Sequence, residues 1–431
     1  MDLATDAEFV AEFVSEVLSG TGWNVDRIRP RGSRLDPPDS FWSAFAVHIN
    51  KDGEERDLRL IAKGALNDGA WERLKARLAA DASRDCDPIN GIGYPRLFDE
   101  SRHAYWFYPY DPAMPGLHQA ADPVFMAGVL TGVQDGAAGA PRVEVQRVRY
   151  MPEQTAILRY TMKAAGSPVK VFGKLQPGHR GLRTFRIVEG LWQAAARYPG
   201  FLNLPRPLGY IEEMGLLLEE SVRGKAVSGN RMSTQFGMAA NAAAEALAVI
   251  HEAGIPADET IRIDDELARL DRVAEQFTYV LPSGHFLLRD LIDHMRDRIR
   301  KTEQEDVLPT HGDMKYDQFL FHNDVYTLLD FDYYAMAETS YDLGKCCAYI
   351  FPSTPETWRH SVRAEELREL FIRRYRELRP DATLQRFGVY EALQFALRAM
   401  SFMWAQTHGW ERIAETLLVL GFERLKTRFP A

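Results

Sequence analysis

A polar segment in the second half of the chain combines the residue types that phosphoryl transfer requires. Asp313 follows Gly312, Gln318 comes five residues after Asp313, and Asp330 comes seventeen residues after it, at the end of an apolar stretch. Transfer of a phosphoryl group from a nucleotide needs a carboxylate that orients the acceptor hydroxyl and accepts its proton. It also needs oxygen ligands that hold Mg²⁺ against the phosphates. The order of these residues therefore predicts a base, an amide metal ligand and a carboxylate metal ligand.

Three neighbouring residues have less definite roles. Lys315 lies two residues after Asp313, where its ammonium group could offset charge on the transferred phosphoryl oxygens. Asp332 is either a second metal ligand or a solvated residue at a strand end, and both interpretations stay open. His311 is interpreted as a packed histidine of the loop and not as an acid or a base.

This segment resembles a known family. HGDMKYDQ and LLDFDYYAMAETSYDLG are similar to the catalytic segment of the aminoglycoside phosphotransferase and choline kinase superfamily, whose fold is protein-kinase-like. The resemblance implies that Asp313 is the catalytic base, that Gln318 and Asp330 bind Mg²⁺, and that Asp342 is a buried brace of the loop. The family usually has asparagine where this chain has Gln318. Maltokinase-like sugar kinases carry glutamine there, so the resemblance is greatest to them and to uncharacterised bacterial phosphotransferase-family proteins.

The resemblance also implies a nucleotide lobe upstream. VFGKL is similar to the third strand of that lobe, which makes Lys174 the residue that holds the α- and β-phosphates of ATP or another nucleoside triphosphate. Glu189, fifteen residues later, has a spacing compatible with the lysine–glutamate pair of kinases. The stretch 150–156 would cover the phosphates and 216–221 would connect the lobes. Within these stretches the implied nucleotide contacts are Gln154, Thr155, Glu219 and Ser221.

The elements that position these residues occur twice along the chain. A hairpin that ends in a lysine, a helix, a Pro-Arg pair and a further strand recur with an offset of 111 from Lys63 to Lys174 and of 110 from Pro95 to Pro205. A constant offset is typical of a duplicated unit, although a Pro-Arg pair can also recur by chance. Lys63 has Leu78 where a glutamate would be needed, so we expect the first copy not to bind ATP.

The resulting prediction is an α+β, bilobal protein-kinase-like fold with a β-rich nucleotide lobe and a mainly helical C-lobe. Residues 1–140 are predicted to form an N-terminal cap domain that resembles a degenerate second N-lobe, with a linker at 135–141. Residues 141–225 are predicted to form the nucleotide lobe and hinge, and residues 226–431 the helical lobe with the catalytic loop and acceptor site. One long helix is predicted over 390–426.

Composition excludes several other classes of protein. The 431 residues are 46% apolar and 26% charged, as in globular domains. A net charge of −9 lacks the basic field that nucleic-acid binding needs. Three cysteines do not build a disulfide framework. The N-terminus is acidic and no apolar stretch reaches the length of a membrane span, so we expect a cytoplasmic protein without a membrane partner.

Three functions remain open at this stage. The favoured one is an ATP- and Mg²⁺-dependent kinase that phosphorylates a hydroxyl of a sugar, an amino sugar or a similar small molecule. The alternatives are a catalytically silent nucleotide-binding module and a metal phosphoesterase built on His311, Asp313, Asp330 and Asp332. The sequence leaves the acceptor, the oligomeric state and the choice between ATP and GTP open. Candidate acceptor contacts on the C-terminal helices are Trp358, Glu391, Trp404 and Trp410, although core packing is the expected role of the three tryptophans.

Overall fold

The chain divides into two compact units. A computed structural model describes residues 7–36, 39–131, 142–163, 168–227, 233–351, 361–405 and 408–426. One unit comprises Met1–Arg183 with Leu208–Glu220, and the other comprises Thr184–Pro207 with Ser221–Ala431. The predicted linker at 135–141 lies outside the described residues, and the three predicted domain ranges stay predictions.

The first unit contains two five-stranded sheets that share one strand order. In both, a helix of three turns or more lies between the third and fourth strands in sequence, as the offset of the Lys63 and Lys174 segments predicts. The elements are α1 (Ala7–Val17), β1 (Asn24–Asp36), β2 (Ser40–Lys51), β3 (Glu54–Ala65), α2 (Asp68–Ala82), β4 (Arg96–Phe98), β5 (His103–Phe107), α3 (Leu117–Ala120), α4 (Pro123–Thr131), β6 (Arg142–Met151), β7 (Thr155–Lys163), β8 (Val169–Leu175), β9 (Pro207–Ile211) and β10 (Leu216–Glu220), and α5 (Arg180–Ala195) begins in the first unit and continues in the second. The strand order is β1-β2-β3-β5-β4 in the first sheet and β6-β7-β8-β10-β9 in the second.

Turn chemistry and side-chain alternation explain why these strands pair. Asp52 and Gly53 both have positive φ angles, 51° and 86°, as the two-residue turn of a hairpin with matching twist requires. Burial alternates along β7, so that Leu158, Tyr160 and Met162 enter the core. These strands thereby hold Lys174 of β8 in register, opposite Ile157 of β7.

The second unit is mainly helical with short strands. Its largest core cluster joins the helices to the strands of the polar segment. Ser233 caps α6, because its side chain accepts a hydrogen bond from the Phe236 amide at 3.2 Å. The elements are β11 (Lys225–Ala226), α6 (Thr234–Glu252), α7 (Ile263–Val280), α8 (Pro282–Ile299), β12 (Val307–Thr310), β13 (Phe319–His322), β14 (Val325–Leu328), β15 (Ala335–Glu338), α9 (Ser340–Ile350), α10 (Ser361–Leu378), α11 (Phe387–Ala405) and α12 (Trp410–Lys426).

The α+β class, with antiparallel sheets followed by a helical region, is confirmed. The single helix predicted over 390–426 is wrong, because α11 ends at Ala405 and α12 begins at Trp410. Gly409 has a φ of 70°, a left-handed conformation that a continuous helix cannot contain. None of the described helices is long and apolar enough to span a membrane.

Candidate active site

The polar segment folds around a glycine that no other residue can replace without strain. Gly312 has a φ of 78°, and a Cβ atom there would lie 1.9 Å from the carbonyl oxygen of Tyr333. The main chain after β12 therefore packs directly against the 3-10 turn Phe331–Tyr333 that follows Asp330. This close approach brings Asp313 to the same place as Asp330, seventeen residues later in the chain.

Asp342 holds this loop through main-chain hydrogen bonds. It lies in the first turn of α9 and is fully buried. Its Oδ2 accepts a hydrogen bond from the His311 amide at 2.6 Å, and its Oδ1 accepts one from the Gly312 amide at 2.9 Å. Hydrogen bonds from neutral donors to a carboxylate are stronger than those between neutral groups. Asp342 thus has the contacts expected of the brace that the resemblance implies.

His311 connects the loop to the end of β14 through its buried ring. Its Nδ1 lies 3.3 Å from the Asp313 amide and accepts that hydrogen bond, which leaves the ring hydrogen on Nε2. Nε2 donates to the carbonyl oxygen of Leu329 at 3.1 Å. Both ring nitrogens therefore have partners within the loop, as expected for a packed histidine.

Two lysines contact the carboxylate of Asp313. Nζ of Lys345 lies 2.7 Å from Oδ1, and Nζ of Lys315 lies 2.8 Å from Oδ2. Burial raises the pKa of Asp313, but the two ammonium groups outweigh burial and leave the pKa below its ordinary value. The pKa of Lys315 shifts in the opposite direction. Burial lowers it, but the pairing with Asp313 outweighs burial and leaves the pKa of Lys315 above its ordinary value.

Lys345 is not among the site residues predicted from the sequence. This residue lies in α9, and its Nζ also donates to the carbonyl oxygen of Gly312 at 3.1 Å. Lys345 follows Asp342 by three residues, and residues three apart lie side by side on a helix. The recognised brace could therefore have indicated that Lys345 faces the same loop.

Gln318 lies between the two carboxylates that the sequence analysis associates with it. Its Nε2 lies 3.1 Å from Oδ2 of Asp313 and 3.4 Å from Oδ2 of Asp330. Asp330 has a left-handed backbone, with φ 69° and ψ 65°, a conformation that aspartate adopts more readily than most residues. The structure thus brings together the three residues that carry the prediction of phosphoryl transfer.

The oxygen donors of this cluster suit magnesium. Rotation of the Gln318 amide by a half-turn presents its oxygen beside the Asp330 carboxylate, and amide and carboxylate oxygens are the donors that Mg²⁺ prefers. Asp332 lies half-buried in the 3-10 turn that follows Asp330. Within the described ranges, no group of three or more histidine, cysteine, aspartate and glutamate residues could hold a metal ion.

Four of the predicted nucleotide contacts lie in the first unit. Lys174 is half-buried in β8 between Ile157 and Leu217 of the neighbouring strands. Glu219 lies in β10, opposite Phe172. The other two residues are at the β6–β7 connection. Gln154 accepts a hydrogen bond from Nη1 of Arg34 at 3.0 Å, and the buried hydroxyl of Thr155 has no hydrogen-bond partner among the described residues.

The other two predicted contacts belong to the second unit. Glu189 is exposed on α5, and Ser221 directly follows β10. Because Lys174 and Glu189 belong to different units, the ion pair between them stays a prediction.

The predicted acceptor contacts differ in their burial and in their partners. The expectation for Glu391 is wrong, because its side chain is fully buried and forms a bidentate ion pair with Arg368, with both distances 2.7 Å. Trp410 is buried, which agrees with core packing. Trp404 is half-exposed and its indole nitrogen donates to Gln276 at 3.1 Å. Trp358 lies outside the described residues.

Comparison with known proteins identifies the fold. A putative aminoglycoside phosphotransferase from Ralstonia eutropha JMP134 is 12% identical, with a TM-score of 0.51 over 72% of this chain and 99% of that chain. Choline kinase from Cryptosporidium parvum Iowa II is 13% identical, with a TM-score of 0.50 over 71% of this chain and 96% of that chain. At these identities the similarity shows the fold alone. No protein of curated function matches the chain by sequence.

The fold is that of the protein-kinase-like class. Residues 182–385 match the model of the phosphotransferase enzyme family. The match contains the polar segment and begins after Lys174. The predicted superfamily and enzyme class are thereby confirmed.

Proposed function

We propose that the chain is an ATP-dependent kinase that transfers the γ-phosphate to a hydroxyl of a sugar, an amino sugar or a similar polar small molecule. The observation that supports this function best is the convergence of Asp313, Gln318 and Asp330 in one loop held by Asp342. The match of residues 182–385 to the model of a phosphotransferase family supports the reaction class. The glutamine at 318 favours a maltokinase-like acceptor, which is a sugar.

In this proposal Asp313 orients the acceptor and takes its proton. The depressed pKa keeps its carboxylate ionised, so that one oxygen can accept a hydrogen bond from the acceptor hydroxyl. The proton passes to that oxygen as the hydroxyl oxygen bonds to phosphorus and the bond to the nucleotide breaks. Lys315 can then turn its ammonium group toward the transferred phosphoryl oxygens.

The remaining site residues are assigned to the metal and the nucleotide. Gln318, Asp330 and Asp332 would hold Mg²⁺, which supplies positive charge against the phosphate oxygens when it is bound. The nucleotide contacts remain those that the resemblance implies, namely Lys174, Glu189, Glu219, Ser221, Gln154 and Thr155.

A direct test measures phosphate transfer from Mg-ATP to a panel of sugars, amino sugars and amino alcohols. We expect turnover with at least one acceptor, and we expect Asp313→Asn to reduce kcat by roughly 100- to 10,000-fold while nucleotide binding persists. Asp317→Asn is a matched control, since Asp317 is an exposed residue of the same loop. Absence of both Mg-ATP binding and transfer to every acceptor would contradict the proposal.

One observation favours the alternative of a catalytically silent nucleotide-binding module. Both oxygens of Asp313 are already paired with ammonium groups, as could be the case in a silent nucleotide-binding module. Such a module would bind Mg-ATP equally well with and without Asp313→Asn, and neither form would turn over. A phosphoesterase is disfavoured because the His311 ring nitrogens are already bonded within the loop.

A further inference from the structure

The turn between β6 and β7, Pro152–Gln154, has several contacts with the first sheet and the segment after it. Glu153 has a left-handed backbone with a φ of 58°. Its amide donates to Oδ2 of Asp111 at 2.8 Å, and the hydroxyl of Tyr150 donates to the same oxygen at 2.9 Å. Asp111 is buried and follows β5. Its other oxygen accepts from the amide of Ala113 at 2.8 Å. One carboxylate therefore joins the turn to the chain after the first sheet.

The side chain of Glu153 forms two ion pairs with residues of the first sheet and its helix. Its Oε2 pairs with Nζ of Lys63 in β3, and its Oε1 pairs with Nη2 of Arg77 in α2. The side chains of Lys63 and Glu153 are only 12% and 10% exposed. Arg77 is 45% exposed, so its contribution is screened by solvent. The pair of Lys63 and Glu153 is thus the desolvated part of the contact.

Lys63 occupies in the first sheet the place that Lys174 occupies in the second. Both lie in the third strand of a sheet with the same order, both are mostly buried, and both precede the helix of their copy. In the second copy this lysine is the residue assigned to nucleotide phosphates. In the first copy the equivalent ammonium group pairs with Glu153, so a carboxylate of the chain stands where an anionic ligand would bind.

We propose that Glu153 is a positioning residue. By pairing with Lys63 it fixes the turn Pro152–Gln154, and with it the following Thr155, in the conformation that receives nucleotide phosphates. The first sheet would then hold the phosphate-covering turn and bind no nucleotide of its own. The part of this inference that concerns nucleotide rests on the proposed function, whereas the part that concerns the turn rests on the contacts alone.

Because the ion pair of Lys63 and Glu153 is desolvated, the loss of one partner should disturb the turn. Removal of one partner from a desolvated ion pair leaves the other charge uncompensated, and this is the costly change, whereas removal of both partners costs less. Lys63→Met and Glu153→Gln should therefore each loosen the turn. The double variant should be less disturbed than the sum of the two single variants.

The experiment uses the full-length protein and two measurements. Hydrogen exchange followed by mass spectrometry reports on peptides that contain residues 150–156, and titration with Mg-AMP-PNP reports nucleotide affinity. We expect each single variant to speed exchange in this stretch and to weaken Mg-AMP-PNP binding by roughly tenfold, equivalent to about 1.4 kcal/mol. Lys63→Arg should restore both. Where transfer is measurable, the KM for ATP should rise while the KM for the acceptor stays unchanged.

Lys75→Met is the matched control, because Lys75 lies on the same helix as Arg77 and pairs only with exposed carboxylates among its ion pairs. It should change neither measurement. Unchanged exchange in Lys63→Met and Glu153→Gln would overturn the inference even if nucleotide binds. Faster exchange without any Mg-AMP-PNP binding by the wild type would overturn the phosphate role together with the proposed function, and would leave the contact between Glu153 and the first sheet as a purely structural one.

Discussion

Replacement of Asp342 by asparagine tests how the loop that carries Asp313 is held. The substitution preserves shape but replaces one carboxylate oxygen with an amide NH₂ group. Asp342 accepts hydrogen bonds from the amides of His311 at 2.6 Å and Gly312 at 2.9 Å. Asparagine can accept only one of them, so its NH₂ group must face the other amide. One buried donor of the main chain then loses its partner.

The magnitude follows from these contacts. A hydrogen bond to a charged group contributes about 1.5–3 kcal/mol, and a buried donor without a partner costs about 1–3 kcal/mol. Weakening one bond and losing the other should therefore reduce the free energy of unfolding by roughly 3–5 kcal/mol. This is a large fraction of the roughly 5–15 kcal/mol that stabilises a typical domain. We expect a lower melting temperature and faster hydrogen exchange in residues 311–313.

The assay combines thermal melting, hydrogen exchange and kcat at saturating Mg-ATP and acceptor. Because the loop carries Asp313, a displaced loop should lower kcat by roughly 100-fold. Asp317→Asn is the control, since Asp317 is exposed in the same segment. Wild-type melting, exchange and kcat in Asp342→Asn would refute the reasoning that this carboxylate positions the loop.

Three further substitutions test other contacts. Gly312→Ala should melt lower and lose turnover, because the left-handed backbone costs about 1–2 kcal/mol in alanine and its Cβ would clash with Tyr333; wild-type melting would contradict this. Lys345→Met should lower kcat by roughly tenfold or more through misorientation of Asp313, whereas Lys345→Arg should retain activity. A kcat of Lys345→Met equal to that of the wild type would contradict the role of Lys345 in orienting Asp313. Burial raises the pKa of Glu305 from 4.5 to about 7. Its stabilising contribution is therefore complete below about pH 4.5 and is lost as the pH rises through about 7. At about 1.4 kcal/mol per unit the loss is about 3 kcal/mol, and melting curves from pH 5 to pH 8 should show a steeper decline for the wild type than for Glu305→Gln.

The sequence predicted the centre of the candidate site because its signals are local. Asp313, Gln318 and Asp330 lie on short turns and strands in one stretch of chain, so their order nearly determines their proximity. The repeat could also be predicted from the sequence, because the offset from Lys63 to Lys174 spans elements that recur in the same order in both sheets. Both predictions depend on spacing along the chain, which the sequence gives directly.

What the sequence could not supply are contacts between distant elements. Glu391 looked like a polar residue available to an acceptor, yet it pairs with Arg368 of another helix inside the core. The pairing of Glu153 with Lys63 joins residues 90 positions apart, and no periodicity of either segment indicates it. Such contacts depend on how helices and sheets pack, and the hydrophobic pattern of one element does not determine its polar partners.

The surroundings of Asp313 also bear on what kind of base it can be. Two ammonium groups lower its pKa, which makes the carboxylate ionised but weakly basic. A strong base would be required if the acceptor had to lose its proton before attack. Phosphoryl transfer passes through a loose transition state in most analyses, so that positioning and charge stabilisation supply most of the catalysis. A weakly basic carboxylate that orients the hydroxyl and receives its proton late in the reaction is sufficient for that chemistry. The two lysines are therefore compatible with an active kinase, and they suit a base that acts chiefly by orientation.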